Sequence, residues 1–317
     1  MINAVRKQWI DEIRALAIIL VVLGHQLPEI VFFSAFINPI KMPLFFAISG
    51  YLFNKVNVEF SEFIRGVVNK LVIPWITLGL IVTIPQLYDG IDEFLTRIKY
   101  LILGKDFWFM PCLIIGEIIL YFLLKIKNNV ILIFSIFLCT TIGLILGNYK
   151  CLDLWMFNRA LSVQLFFFMG IIFRRYENNL ISYNFKWLLI PIILYITLVT
   201  VGLVFYPFSS IDIHQNYYFN LPLNFITIFT GTITCFTLFA KLNRSNKMLS
   251  IIGQNSLVIY IFHGLILGFT YRVIGFFGIE VYHNILLGII STIYACVVCT
   301  IISLFINKYF PALLGRR

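Results

Sequence analysis

Charge is what this sequence has least of. Only 12% of its 317 residues are Asp, Glu, Lys or Arg, while 61% are hydrophobic and the mean hydropathy is +0.95. A soluble domain carries about 25% charged and about 45–50% apolar residues, so this chain has too little polar surface to cover a water-facing fold. That excludes a soluble enzyme and a disordered polar protein. Six cysteines, mostly inside apolar segments, exclude a secreted disulfide scaffold. Cys296 and Cys299 form a lone CxxC in the last apolar segment. They read as packing, so no metal site is expected. Gly/Ser-rich linkers, charge blocks and long internal repeats are missing too. The expected organisation is one integral-membrane domain over residues 1–317, with no soluble domain appended.

What is abundant is apolar sequence in long runs. A helix needs about 20 largely apolar residues to cross a bilayer. Ten apolar segments are placed, at 10–28, 36–53, 67–87, 107–124, 129–147, 160–173, 187–206, 221–240, 250–270 and 284–306. The expected fold is therefore all-α, a polytopic membrane bundle of about ten transmembrane helices. In the second segment Pro39 and Pro43 flank Lys41, which predicts a helix that starts after Pro43 or is kinked there. The first segment has no small-residue cleavage site and more spans follow it, so it reads as a span and not as a signal peptide.

The formal charge of +10 rests on 24 Lys and Arg against 14 Asp and Glu. Such an excess can mark a nucleic-acid binder. Its distribution removes that need. With the N-terminus inside, 16 of the 24 fall in cytoplasmic loops, among them Arg6, Lys55, Arg65, Lys70, Arg244 and Arg317. Seven, including Lys41 and Arg159, fall outside, and Arg14 lies within the first span. This asymmetry predicts an N-in, C-in topology. No nucleic-acid partner is expected; the lipid bilayer is the solvent. The longest outer loop, around 207–220, holds Asp212 and His214. His214 and His283 read as solvated loop residues.

Ionisable groups inside a bilayer are costly and are candidates for function. Arg14 and His25 are eleven residues apart in the first span. At 3.6 residues per turn they share a face, about 16 Å apart along the axis. Each alone has a plain explanation, Arg14 snorkelling to the inner interface beside Asp11 and His25 marking the outer boundary. Their common face favours function. In the second segment Ser49 and Gly50 suit close helix packing. In the ninth, Ser256, Tyr260 and His263 stand at i, i+4 and i+7, a polar stripe that must face a bundle interior or a wet cavity.

Taken in order, these segments resemble the acyltransferase 3 family of integral-membrane acyltransferases. The resemblance rests on Arg14 and His25 with ten residues between them, Phe45-Phe46 with Ser49-Gly50, Trp108-Phe109, Phe167-Phe168-Met169-Gly170, and the Ser256, Tyr260, His263 stripe. It runs through nearly the whole chain. The opening stretch Trp9 to His25 is most similar to the fucose 4-O-acetylase-like subgroup. One departure is Lys70, where the family's basic loop usually carries arginine before its proline, here Pro74. Lysine lacks the planar fork for bidentate phosphate contact.

The resemblance implies a bacterial enzyme of the inner, cytoplasmic membrane that takes an acetyl group from cytoplasmic acetyl-CoA to a surface glycan or glycolipid. Capsular polysaccharide and O-antigen are among the acceptors. It implies His25 as catalytic base or transient acyl carrier, with Arg14 beside it in catalysis. Arg14, Arg65 and Lys70 become the donor's phosphate contacts, and Ser49, Trp108, Ser256, Tyr260 and His263 the acceptor contacts. Some members carry a fused extracytoplasmic esterase-like domain. With the last residue at Arg317, transfer is expected to finish within the membrane domain or on a separate protein. A homo-oligomer remains open. The competing class is a transporter or flippase for a lipid-linked sugar, for which matched broken helices in the two halves would be the sign. Only the second segment is clearly Pro-interrupted, and no matching partner is visible in the second half.

Overall fold

A computed structural model describes residues 7–28, 30–205, 211–218, 220–242, 246–276 and 284–316. Of the residues named above, Arg6, Arg244, His283 and Arg317 lie outside these ranges. The protein is all-α. Its helices are α1 (Gln8–Gln26), α2 (Val31–Leu52), α3 (Phe60–Val67), α4 (Ile73–Thr83), α5 (Ile91–Ile102), α6 (Phe109–Leu123) and α7 (Asn129–Asn148). They continue as α8 (Phe157–Ser162), α9 (Gln164–Ser182), α10 (Leu189–Phe205), α11 (Leu221–Leu242), α12 (Lys247–Gln254), α13 (Ser256–Phe276) and α14 (Ile285–Tyr309). The strands β1 (Ile211–Asp212) and β2 (Tyr217–Tyr218) pair in the loop between α10 and α11.

All ten expected segments are helical, because a backbone in lipid has to satisfy its own N–H and C=O groups. Seven helical stretches are long and apolar enough to cross a membrane among the described residues. The pair α8 and α9, bent by 51°, makes an eighth when taken as one broken span. The remaining two segments are α1, with Asp11, Glu12 and Arg14 in its first half, and α6, which has 15 residues.

Three expectations need correction. Of the two readings of α2, a start after Pro43 or a kink there, the first is overturned: the helix begins at Val31 and runs through both prolines. Membrane helices tolerate this where side chains and neighbouring helices satisfy the freed backbone groups. The ninth segment is two helices. Asn255 ends α12, its Nδ2 donating 2.7 Å to the Ile251 carbonyl, and α13 starts at Ser256. Arg159 is not a loop cation. It sits in α8 at 9% exposure, pairs with Asp153, and donates through Nε to the His214 carbonyl at 2.8 Å.

The chain forms two compact units. The first comprises Met1–Ile48, Ile172–Ile211 and Tyr218–Ile301; the second comprises Ser49–Ile171, Asp212–Tyr217 and Ile302–Arg317. In the first, α1 is surrounded by α11, α12 and α13. Trp9 anchors its start, with ring edges against Phe173 and Phe236 at 6.2 and 6.0 Å. Lys7 pairs with Glu177 at 2.6 Å. In the second unit, Phe63 stacks on Tyr121 with centroids 4.5 Å apart, and the Tyr121 hydroxyl donates to the Val58 carbonyl at 2.9 Å.

Candidate functional site

In the first unit the site is built on the seam between α1 and the α12–α13 pair. α12 is started by Asn246, whose side chain accepts from the N–H groups of Met248 and Leu249. The Asn246 N–H in turn donates to Glu12 Oε1 at 2.6 Å. Next to Glu12, Asp11 accepts from Gln254 Nε2 at 3.2 Å and lies 3.7 Å from the Arg14 guanidinium. Both carboxylates are nearly fully buried, 2% and 4% exposed. A buried carboxylate is costly without a partner, and each of these has a donor. The pair near Arg14 therefore tethers α12 to α1 and orients the arginine.

Gly253 allows this tether. A Cβ there would overlap the Asp11 carbonyl oxygen and carbon. From that crossing α13 runs parallel to α1. Gly253 lies against Asp11 and Ala15, and ten residues further along each chain, His263 meets His25. The imidazole centroids are 5.2 Å apart, with 34° between the rings. His263 is buried and His25 is exposed. His263 Nδ1 lies 2.7 Å from the Tyr260 carbonyl and 3.1 Å from that of Ile259. Carbonyl oxygens only accept, so Nδ1 carries the proton and Nε2 keeps its lone pair. The Tyr260 ring lies 6.2 Å from that of His263.

α1 is one unbroken helix, so Arg14 and His25 do share a face, about 16 Å apart along the axis. The Ser256, Tyr260 and His263 stripe lies wholly on α13. Tyr260 and His263 are buried, and Ser256 is half-buried at the first turn.

Two residues close to this site in the chain or in space were not singled out from the sequence. Lys41 reaches across from α2, its Nζ 3.0 Å from where a Cβ on Gly24 would stand, and it acts electrostatically on His25. The available signal was a lysine inside an apolar helix between two prolines. Gln26 follows His25, is fully buried, and neither end of its amide finds a hydrogen-bond partner among the described residues. A buried amide of this kind calls for a polar ligand group or water.

The other expected site residues belong to the second unit. Gly50 packs against the backbone of Phe167, where a Cβ would overlap the carbonyl, so the small-residue reading of this element holds; Ser49 beside it is half-buried. Arg65, in α3, and Lys70, in the π-helical turn Val68–Val72, are exposed. Neither makes an ion pair among the described residues. Trp108 precedes α6 and stacks on His214, with centroids 5.2 Å apart and 31° between the rings. His214 is therefore not a free loop residue. Burial lowers its pKa below the ordinary imidazole value, the Asp212 carboxylate opposing and Arg159 adding to the effect.

The loops around this stack are tightly wound. Phe107, Lys150, Leu152, Trp155, Met156 and Asn216 all have φ between 52° and 56°, a region costly for residues with a side chain. Tertiary bonds hold them there. Trp155 Nε1 donates to the Ile102 carbonyl at 3.0 Å, Asn158 Nδ2 to that of Cys151 at 2.8 Å, and Asn216 Nδ2 to that of Gly143 at 2.8 Å. All six cysteines are free thiols, and four are buried.

The acyltransferase 3 family model, described as an acyltransferase domain, matches residues 7–304. No curated protein and no solved structure matches the chain.

Proposed function

The chain belongs to the acyltransferase 3 family and is a multi-pass membrane O-acyltransferase, and from that premise we propose that it moves an acetyl group from cytoplasmic acetyl-CoA to a hydroxyl of a cell-envelope carbohydrate, in the inner membrane of a bacterium. The observation that carries this reading is the pair His25 and His263, 5.2 Å apart, with Arg14 on the same face of α1.

Arg14 holds a phosphate of the donor by charge-assisted hydrogen bonds. The extended arm of the donor spans the roughly 16 Å to His25. Neutral His25 takes the proton of the acceptor hydroxyl as its oxygen attacks the thioester carbonyl. The Lys41 ammonium stabilises the oxyanion of the tetrahedral intermediate. Its collapse breaks the C–S bond, and the departing thiolate receives the proton from His25. His263 Nε2 accepts a hydrogen bond from the acceptor or from His25, and Tyr260, Ser256 and the unpaired amide of Gln26 bind further acceptor hydroxyls. The second unit, taken by itself, carries exposed cations at Arg65 and Lys70 suited to phosphate, a stacking face for a sugar at Trp108, and Ser49 as a further proposed acceptor contact.

Radiolabelled acetyl-CoA supplied to membranes containing the protein should place label in an O-acetylated glycan fraction, released by mild alkali. Export of a lipid-linked sugar with no label transferred would sink this reading and favour a flippase.

Arg14→Ala should raise KM for acetyl-CoA by about 10- to 100-fold, the loss of a charge-assisted hydrogen bond of about 1.5–3 kcal/mol. KM for the acceptor should stay within about two-fold. A rise in acceptor KM alone would remove Arg14 from the donor site.

A further inference from the structure

The first unit holds a partly open cavity of about 390 Å³ between α2, α10 and α11. That is the volume of a small-molecule site, for which about 300–1,000 Å³ is usual. None of its described lining residues is ionisable. Leu198, Leu203 and Leu223 form much of the wall, while Ser34, Asn38, Asn224 and Thr227 supply polar groups. Asn224 is the informative one. It is 4% exposed, and its Nδ2 donates to no acceptor among the described residues. A buried donor without a partner is met by water or by a ligand's acceptor, and the place of Asn224 in the cavity lining suits the latter. Two hydroxyls there are committed as donors and retain acceptor capacity. Thr227 donates to the Leu223 carbonyl at 2.7 Å, and Ser34 to the Pro28 carbonyl at 3.2 Å.

We propose that this cavity binds a neutral amphiphile, an aliphatic chain whose polar end carries hydroxyl or ester oxygens. Apolar walls match the chain. The Asn224 amide needs an acceptor oxygen, and the Ser34 and Thr227 oxygens take a hydroxyl proton. The lack of any cation or carboxylate in the lining disfavours a charged headgroup, whose desolvation would go uncompensated. The cavity shares no residue with the histidine pair, although Pro28 lies three positions past His25 and Pro39 two before Lys41. This site stands independently of acyl transfer.

The test uses the full chain in nanodiscs of synthetic phosphatidylcholine. Diazirine-bearing monoacylglycerol, polyprenol and fatty acid are photolysed separately, and labelled peptides are mapped by mass spectrometry. Labelling of residues 198–203 or 223–227 by monoacylglycerol or by polyprenol is the expected result. Which of the two labels tells whether the source is an acyl-ester lipid or an isoprenoid carrier. The fatty acid should label at least about five-fold less, for want of a cation. Asn224→Leu removes the donor and Ala35→Phe fills the space, and each should cut labelling by about five-fold or more with unchanged elution in size exclusion. Equal labelling by the fatty acid, or undiminished labelling in both variants, overturns the proposal. Should both variants misfold, unlabelled monoacylglycerol in excess must still suppress labelling of the unaltered chain, and failure to do so overturns it as well.

Discussion

His25→Ala should abolish the proposed acetyl transfer while leaving membrane insertion and abundance intact. Proton transfer by a positioned side chain contributes about 100- to 10,000-fold, and a loss of that size is expected in kcat/KM. The structure separates chemistry from folding at this residue. His25 is exposed near the end of α1, where little packing depends on it, and its ring faces the buried imidazole of His263 at 5.2 Å. His25→Gln should be as inactive as His25→Ala, because an amide forms hydrogen bonds but does not take up a proton at neutral pH. Glutamine retaining more than about a tenth of the activity would mean that His25 orients the acceptor and does not act as its base. Rates measured with radiolabelled acetyl-CoA on membranes of matched protein content decide between these outcomes.

The second large effect is structural. Gly253→Ala places a methyl group on the Asp11 carbonyl, and the atom it meets is backbone within a buried helix. Nothing at the far end of a flexible side chain can move aside. α12 has to withdraw from α1, straining the Glu12 to Asn246 and Asp11 to Gln254 hydrogen bonds that define the seam. Overpacking of this kind costs about 1–3 kcal/mol, a fall in Tm of about 2–10 °C. Activity should fall as well, because the same seam sets the step that brings His263 to His25. Gly268→Ala is the control on α13. A Cβ there meets nothing within 4 Å, and alanine is the better helix former. A Tm for Gly253→Ala equal to that of Gly268→Ala, measured by thermal unfolding in detergent, would refute the packing argument.

The spans were legible in the sequence because hydrophobic run length and backbone satisfaction in lipid leave helices as the only outcome for such segments. The common face of Arg14 and His25 and the Ser256, Tyr260, His263 stripe were legible for a similar reason, since helical periodicity is a local property. The small-residue role of Gly50 could be read from residue size, and its neighbour Phe167 could not. The errors came where a tertiary contact outweighed a local rule. Proline at 39 and 43 argues for a helix start or a kink; α2 starts earlier, runs through both, and so presents Lys41 beside Gly24. An arginine before an apolar segment reads as a loop cation, yet Arg159 is buried on Asp153 and the His214 carbonyl. The apolar run across 250–270 reads as one span, yet Asn255 divides it, and the short α12 it releases is held by two carboxylates of α1.

By itself the sequence determined that this is a multi-pass helical membrane protein, which residues break its apolar pattern, and, through their order, which family it resembles. Only the tertiary structure decided that His25 has His263 as its partner, that Lys41 joins them, and that Asp11 and Glu12 serve the α1–α12 seam. The physical reason is separation along the chain. Periodicity ties a residue to neighbours within a few turns of its own helix. His25 and His263 lie on different helices, 238 positions apart, and are brought together by the close approach that Gly253 permits.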